Sequence, residues 1–201
     1  MLRERIIQQA TDLFSFHGIK NVSMDDLASS LGISKRTIYQ YFKNKEDILK
    51  NCILVFQENR DRRVIEIMRQ SENVVYGCLQ IINDYKYTRF PTAIFWEDIY
   101  KYYPETYQCI LEDAEKSNIY LKRLLKEGIK DNYFRRNICF DETVFMLDIS
   151  TCIKIYGIYS VRVSLSRTDL IYNMMVNMLR GISTDKGIEI IDKYIADTPF
   201  K

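Results

Sequence analysis

Proline, glycine and histidine are scarce in this chain. Its 201 residues hold 3 prolines, 7 glycines and a single histidine, His17. Long helices therefore meet few interruptions, and an all-β fold built on frequent turns is disfavoured. The 5 cysteines (Cys52, Cys78, Cys109, Cys139 and Cys152) are odd in number and scattered, with no CxxC pair. That pattern fits reduced thiols in a cytoplasmic compartment better than a disulfide framework or a zinc site. His17 stands beside Gly18 and reads as a capping or core side chain. GxSxG, HExxH and a phosphate-cradling glycine loop are all missing, so the common hydrolytic and metal chemistries lack their parts. No catalytic residue, metal or cofactor is expected. Charges interrupt every candidate membrane span, and the opening MLRERIIQQATDLF has no apolar leader core. The expectation is a soluble, intracellular protein.

Apolar residues, by contrast, are plentiful: 47% of the chain, with 15 tyrosines among a 13% aromatic share. That is enough for a real core in one or two domains. The net charge is only +2, but its placement is uneven. Through residue 50 there are eight bases and six acids, and the remainder is balanced. The whole excess sits at the N-terminal end, a weak pointer to nucleic acid there.

The most informative stretch is Ser23 to Lys45, SMDDLASSLGISKRTIYQYFKNK. Ser23 can cap a helix, with Asp26 three residues on completing a capping-box pattern. Met24, Leu27, Ala28 and Leu31 then share one face at helical spacing. Gly32 can end that helix in the left-handed conformation, Ile33 can plug into the core, and Ser34 can cap a second helix from Lys35. The small Ala28 allows two helices to cross closely, as a helix-turn-helix requires. In the second helix Ile38 and Phe42 point inward, with Tyr41 on the margin. Lys35, Arg36, Thr37 and Gln40 are left facing out. Arginine can fork onto guanine and glutamine onto adenine, so this face is equipped for a major groove.

The run Ser23–Leu49, with LGISKRTIYQYFKNKEDIL at its heart, resembles the N-terminal domain of the TetR family of bacterial transcriptional regulators. The resemblance implies an all-α protein: a three-helix DNA-binding domain over 1–47, then a larger helical ligand-binding and dimerisation domain over 48–201. It also implies that the second helix of the pair lies in the groove and that Lys45 touches phosphate from the start of the next helix. Tyr39, Tyr41 and Phe42 match the family's aromatic cluster, although the family often has histidine where Tyr41 stands. On this reading Lys45, Tyr39, Tyr41 and Ser23 set affinity and register through phosphates. Arg36, Thr37 and Gln40, with Lys35, set sequence preference, and the capping Ser34 belongs to the same DNA-binding set.

Residues 2–17 place Ile6, Ala10, Leu13, Phe14 and His17 on one stripe. From Lys45 a helix to about Gln70 is apolar first and charged later, as suits a connector. Helical pattern resumes from Val74 through Tyr85. Pro91 and Pro104 bracket a short helix within FPTAIFWEDIYKYYPETYQ, and the next helix, opening near Pro104, should bury Tyr107, Ile110, Leu111 and Leu125 and end near Gly128. DNYFRRNICFD lacks periodicity and reads as a loop. Residues 142–163 are apolar almost all round, and a stripe of Ile171, Met174, Met175, Met178, Leu179 and Ile182 follows. These two helices either complete a monomer core or form a four-helix interface with a second copy through Ile155, Ile158, Tyr159 and that stripe. The resemblance implies the dimer. It also implies an inducer pocket, for which the aromatics Phe95, Trp96, Tyr100, Tyr103, Tyr107 and Tyr156 are candidates.

The function expected is a ligand-responsive transcriptional regulator, a repressor, that binds a near-palindromic DNA operator as a homodimer and is released by a small molecule. The alternative is a DNA-binding protein of the same fold with an architectural or protein-partner role and no inducer.

Overall fold

The structure, a computed structural model, describes residues 1–87, 91–147 and 167–198. Ile155, Tyr156, Ile158 and Tyr159, and most of the expected helix over 142–163, lie outside the described residues. Ten helices are present among them: α1 Leu2–His17, α2 Met24–Leu31, α3 Lys35–Tyr39, α4 Lys45–Gln70, α5 Val74–Tyr87, α6 Ala93–Tyr102, α7 Pro104–Lys130, α8 Phe140–Leu147, α9 Arg167–Ile182 and α10 Asp185–Asp197. No strand occurs among the described residues, and the fold is all-α.

The chain divides into two compact units, Met1–Asp61 with Arg89–Ala114, and Arg62–Thr88 with Glu115–Lys201. In the first, Ile6, Ala10 and Phe14 of α1 meet Leu27 and Ala28 of α2, Ile38 of α3, and Ile48 and Leu49 of α4, all buried. Burying a side chain of this size is worth ~1.5–3 kcal/mol, which makes this core the main support of α2 and α3, helices too short to persist alone. Phe95 and Ile99 of α6 complete the same core. The N–H of Thr92 donates to the Ser15 carbonyl at 3.2 Å, tying the start of α6 to α1. Along α4 and α7, Lys50 pairs with Glu105, and Arg60 pairs with Asp113 at 2.9 Å.

His17 is exposed rather than buried on the α1 stripe. The helix ends one residue later at Gly18 (φ 81°), and His17 contributes its carbonyl to the Asn21 side chain.

In the second unit α5 packs on α9 and α10, and Val75, Leu79 and Ile82 of α5, Ile171, Met175 and Leu179 of α9 and Ile191 of α10 are buried. Tyr76 and Tyr194 meet edge to face at 5.3 Å. Helix α7 runs past Gly128 to Lys130. Gly128 is a packing position: a Cβ there would stand 2.2 Å from the Phe134 ring. The reversal is made instead by Asn132 in the left-handed region (φ 60°), after which the N–H groups of Tyr133 and Phe134 donate back to the Gly128 carbonyl. The aperiodic segment that follows is not free loop. Phe134 and Ser183 form an isolated antiparallel bridge, with Arg135 N–H to the Ile182 carbonyl at 2.8 Å and Thr184 N–H to the Tyr133 carbonyl at 2.9 Å. Leu111, expected to be buried, is 40% exposed, and Phe145 of α8 is 65% exposed.

Candidate nucleic-acid interface

The corner between α2 and α3 is built as local chemistry requires. Ser23 Oγ accepts the Asp26 N–H at 3.1 Å, while Asp26 Oδ2 accepts the Ser23 N–H at 2.8 Å, a complete capping box. The Asp26 carboxyl is held below its ordinary range by those bonds, first the Ser23 hydroxyl and then its N–H. Gly32 takes φ 66°, ψ 32°, and the Ile33 N–H reaches back to the Ala28 carbonyl at 3.1 Å. That is the Schellman closure that only a residue at ease in the left-handed region makes cheaply. Ser34 then caps α3, accepting the Thr37 N–H at 3.1 Å and meeting Thr37 Oγ1 at 2.8 Å.

Helix α3 is shorter than the Ile38–Phe42 spacing suggests. It ends at Tyr39 and tightens into three-residue bonds, Gln40 N–H to the Thr37 carbonyl and Tyr41 N–H to the Ile38 carbonyl. Ile38 and Phe42 are still both buried, at 0% and 2% exposure. Lys35, Arg36 and Gln40 are exposed, Thr37 is half-buried, and Tyr39 and Tyr41 are 47% and 45% exposed. Among the described residues no hydrogen bond or ion pair engages the side chains of Arg36 and Gln40. Lys35 is engaged: its Nζ lies 2.9 Å from Asp25 Oδ2 on α2. The Ser23 hydroxyl is occupied too, donating to Asp26 Oδ2 at 2.7 Å.

Lys45 opens α4 half-buried, its Nζ 5.8 Å from the Phe14 ring centre. Burial lowers its pKa, and the negative charges of Asp98 and Asp26 partly offset that. The α4 N-terminus is closed by its own side chains: Asn44 Oδ1 accepts the Asp47 N–H and Asp47 Oδ2 accepts the Lys43 N–H, both at 2.9 Å.

Residues 6–52 match the model of the family described as bacterial regulatory proteins, tetR family. Its helix-turn-helix domain is that of the TetR family. The HTH-type transcriptional regulator YhgD of Bacillus subtilis is 28% identical over 133 residues, 64% of this chain and 69% of that one. An HTH-type transcriptional regulator of Staphylococcus aureus is 33% identical over 85 residues, 41% of this chain and 44% of its own length, so the matched part spans less than half of that relative. In fold, the chain is similar to a transcriptional regulator from Saccharomonospora viridis in complex with choline (TM-score 0.76, 20% identity, 91% of this chain and 98% of that one). It is likewise similar to a TetR-family regulator from Agrobacterium tumefaciens (TM-score 0.76, 14% identity, 90% and 97%). The chain is a helix-turn-helix transcriptional regulator.

The other expected site residues fall into two groups. Phe95, Trp96, Tyr103 and Tyr107 gather on the core of the first unit, Phe95 against Trp96 edge to face at 5.2 Å and Tyr107 against the exposed Tyr100 at 5.4 Å. The buried atoms Thr92 Oγ1 and Trp96 Nε1, one helical turn apart, have no hydrogen-bond partner among the described residues. In the second unit Ile171, Met175 and Leu179 are buried, whereas Met174 and Met178 are half-buried and line a groove of about 540 Å³ with Thr143, Met146, Leu147 and Ile182. Two polar partners escaped sequence reading. Asp25 gives no signal because its acid and the Lys35 it meets belong to different helices. Asp98, whose Oδ2 accepts the Lys20 N–H at 2.8 Å, is 78 positions away from it.

Proposed function

We propose that this protein is a ligand-responsive repressor that binds a near-palindromic operator as a homodimer. The observation that carries the reading is the outward face of α3, where Arg36 and Gln40 stand exposed with uncommitted donors beside a rigidly capped corner. Arg36 is assigned to guanine, Gln40 to adenine and Thr37 to a neighbouring base edge, with Tyr39, Tyr41 and Lys45 on phosphates. A single short helix reads few base pairs, so two heads related by a two-fold axis are needed to sum enough contact energy. The half-buried Met174 and Met178 and the exposed Phe145 and Met146 are apolar surface of the kind a second copy covers.

The inducer is assigned to the aromatic side of α6. The orphaned Trp96 indole N–H and Thr92 hydroxyl favour a ligand that brings a hydrogen-bond acceptor, since a buried donor left unpaired costs ~1–3 kcal/mol. A quaternary ammonium such as choline, bound by the Saccharomonospora regulator of the same fold, is a second class to test, because aromatic faces attract cations. Selection of tight-binding sites from random DNA by the purified full chain tests the reading. Recovery of two inverted half-sites about one helical turn (~34–36 Å) or more apart is the expected result. Recovery of no enriched sequence, or of dispersed sites without symmetry, favours an architectural role instead.

A further inference from the structure

The first cation of α3 is already paired. Lys35 Nζ lies 2.9 Å from Asp25 Oδ2, with 45% and 71% of the two side chains exposed, so the pair sits on the surface and within reach of an approaching phosphate. Asp25 is not needed to cap α2. That task belongs to its neighbour Asp26, whose Oδ2 accepts both the N–H and the hydroxyl of Ser23, and among the described residues the only side-chain bond to Asp25 comes from the next helix. The hydrogen bond and charge of Asp25 raise the Lys35 pKa, so the ammonium is fully charged and held.

We propose that Asp25 acts as a built-in phosphate substitute that competes with DNA for Lys35 and thereby sets the affinity of the head for any DNA sequence. The inference rests on the DNA-contact reading above, but takes Lys35 to a phosphate rather than to a base edge, because Asp25 holds its ammonium against α2. A lysine that moves from solvent to a phosphate releases a condensed counterion, which drives binding. Lys35 moving from Asp25 to a phosphate also releases one, but it leaves Asp25 bare among phosphates, where it must take up a cation. The two ion movements cancel, and the contact adds little. Because the phosphate term carries no sequence information, Asp25 lowers affinity for operator and random DNA by the same factor. Base preference stays with Arg36, Thr37 and Gln40.

The test compares the full-length protein with its Asp25→Asn, Lys35→Gln and doubly substituted variants, by fluorescence anisotropy on a selected site and on a random duplex across a salt series. Asp25→Asn is expected to bind both duplexes about three- to tenfold more tightly at ~0.1 M salt, with the salt slope steeper by about one unit per engaged head. In the Lys35→Gln background the same change is expected to give little gain. Asp25→Ser, which also suits a helix first turn, repeats the measurement should the asparagine variant fold poorly. Unchanged or weaker binding by Asp25→Asn overturns the proposal, because it makes Asp25 a support that aims Lys35. An undiminished gain without Lys35 overturns it as well, since general charge would then explain the effect. Wild-type protein that binds neither duplex sinks the DNA-contact reading itself, and that is known before any variant is compared.

Discussion

The carboxylate of Asp98 on α6 accepts the backbone N–H of Lys20, in the link between α1 and α2, at 2.8 Å. The contact is reinforced on both sides. Lys20 Nζ lies 4.3 Å from the Tyr102 ring centre and donates to its hydroxyl at 3.2 Å. A Cβ on Gly18 would come within 2.7 Å of Ile94 and 3.3 Å of Asp98 Oδ2. Asp98 is only 6% exposed, so the bond is sheltered from water, and α6 is fastened to the link that sets how α2 leaves α1. Replacing Asp98 by alanine is expected to lower the unfolding free energy by ~1–3 kcal/mol, through the lost charge-assisted bond. Denaturant unfolding of the pure protein measures it, and a change below about 0.5 kcal/mol would show that the bond supports nothing.

Gly32 offers a cleaner test of backbone strain. Nothing lies within 4 Å of a Cβ built on it, yet its φ is 66°, so substitution meets no clash and costs only the left-handed conformation. Gly32→Val is expected to lower stability by ~1–2 kcal/mol, and Gly32→Asn by less, because asparagine tolerates this region. Equal thermal midpoints for the two variants would contradict the assignment.

At Gly128 the cost is steric instead. An added methyl would meet the Phe134 ring at 2.2 Å, so Gly128→Ala is expected to cost ~1–3 kcal/mol. Phe134→Leu in the same chain should recover part of that loss while being destabilising alone. A double-mutant cycle with no coupling energy would refute the packing account.

The two kinds of DNA contact should separate by mutation. Arg36→Ala is expected to relax preference at one base pair of the selected site and to cost ~1–3 kcal/mol there. Lys45→Met should weaken all sequences alike and reduce the salt slope by about one unit. It should also raise the thermal midpoint, since burial disfavours the half-buried ammonium. A Lys45 variant that keeps full affinity would remove this residue from the phosphate set.

Burial pushes the Cys52 thiol up to about 11 and that of Cys78 up to about 12. Cys78 is half-buried as a residue, and desolvation is what raises its thiol. At neutral pH both thiols should resist alkylation in the native protein, whereas the exposed Cys139 should react, as read by mass spectrometry of pulse-labelled peptides. The sign of the pH effect follows. Between the unfolded value near 9 and the folded values, the unfolded chain has lost the proton that the folded chain keeps. The stabilisation is therefore complete below about pH 9 and is lost as pH rises through the folded pKa values. Cys52→Val should flatten part of that alkaline decline.

Local chemistry determined the helix-turn-helix, and the sequence alone was enough to read it. Ser23 with Asp26, Gly32, and Ser34 with Thr37 act within six residues of their partners, so spacing revealed the caps, the corner and the buried faces. The family resemblance rested on the same residues. Contacts between distant segments were settled only in three dimensions. Asp98 finds Lys20, Lys35 finds Asp25, Gly128 proves to be a seat for Phe134, and the apparent loop after Asn132 pairs with Ser183. Each depends on where helices come to lie, and no periodicity records that, because a hydrogen bond or a ring contact across the fold leaves the local pattern of apolar residues unchanged.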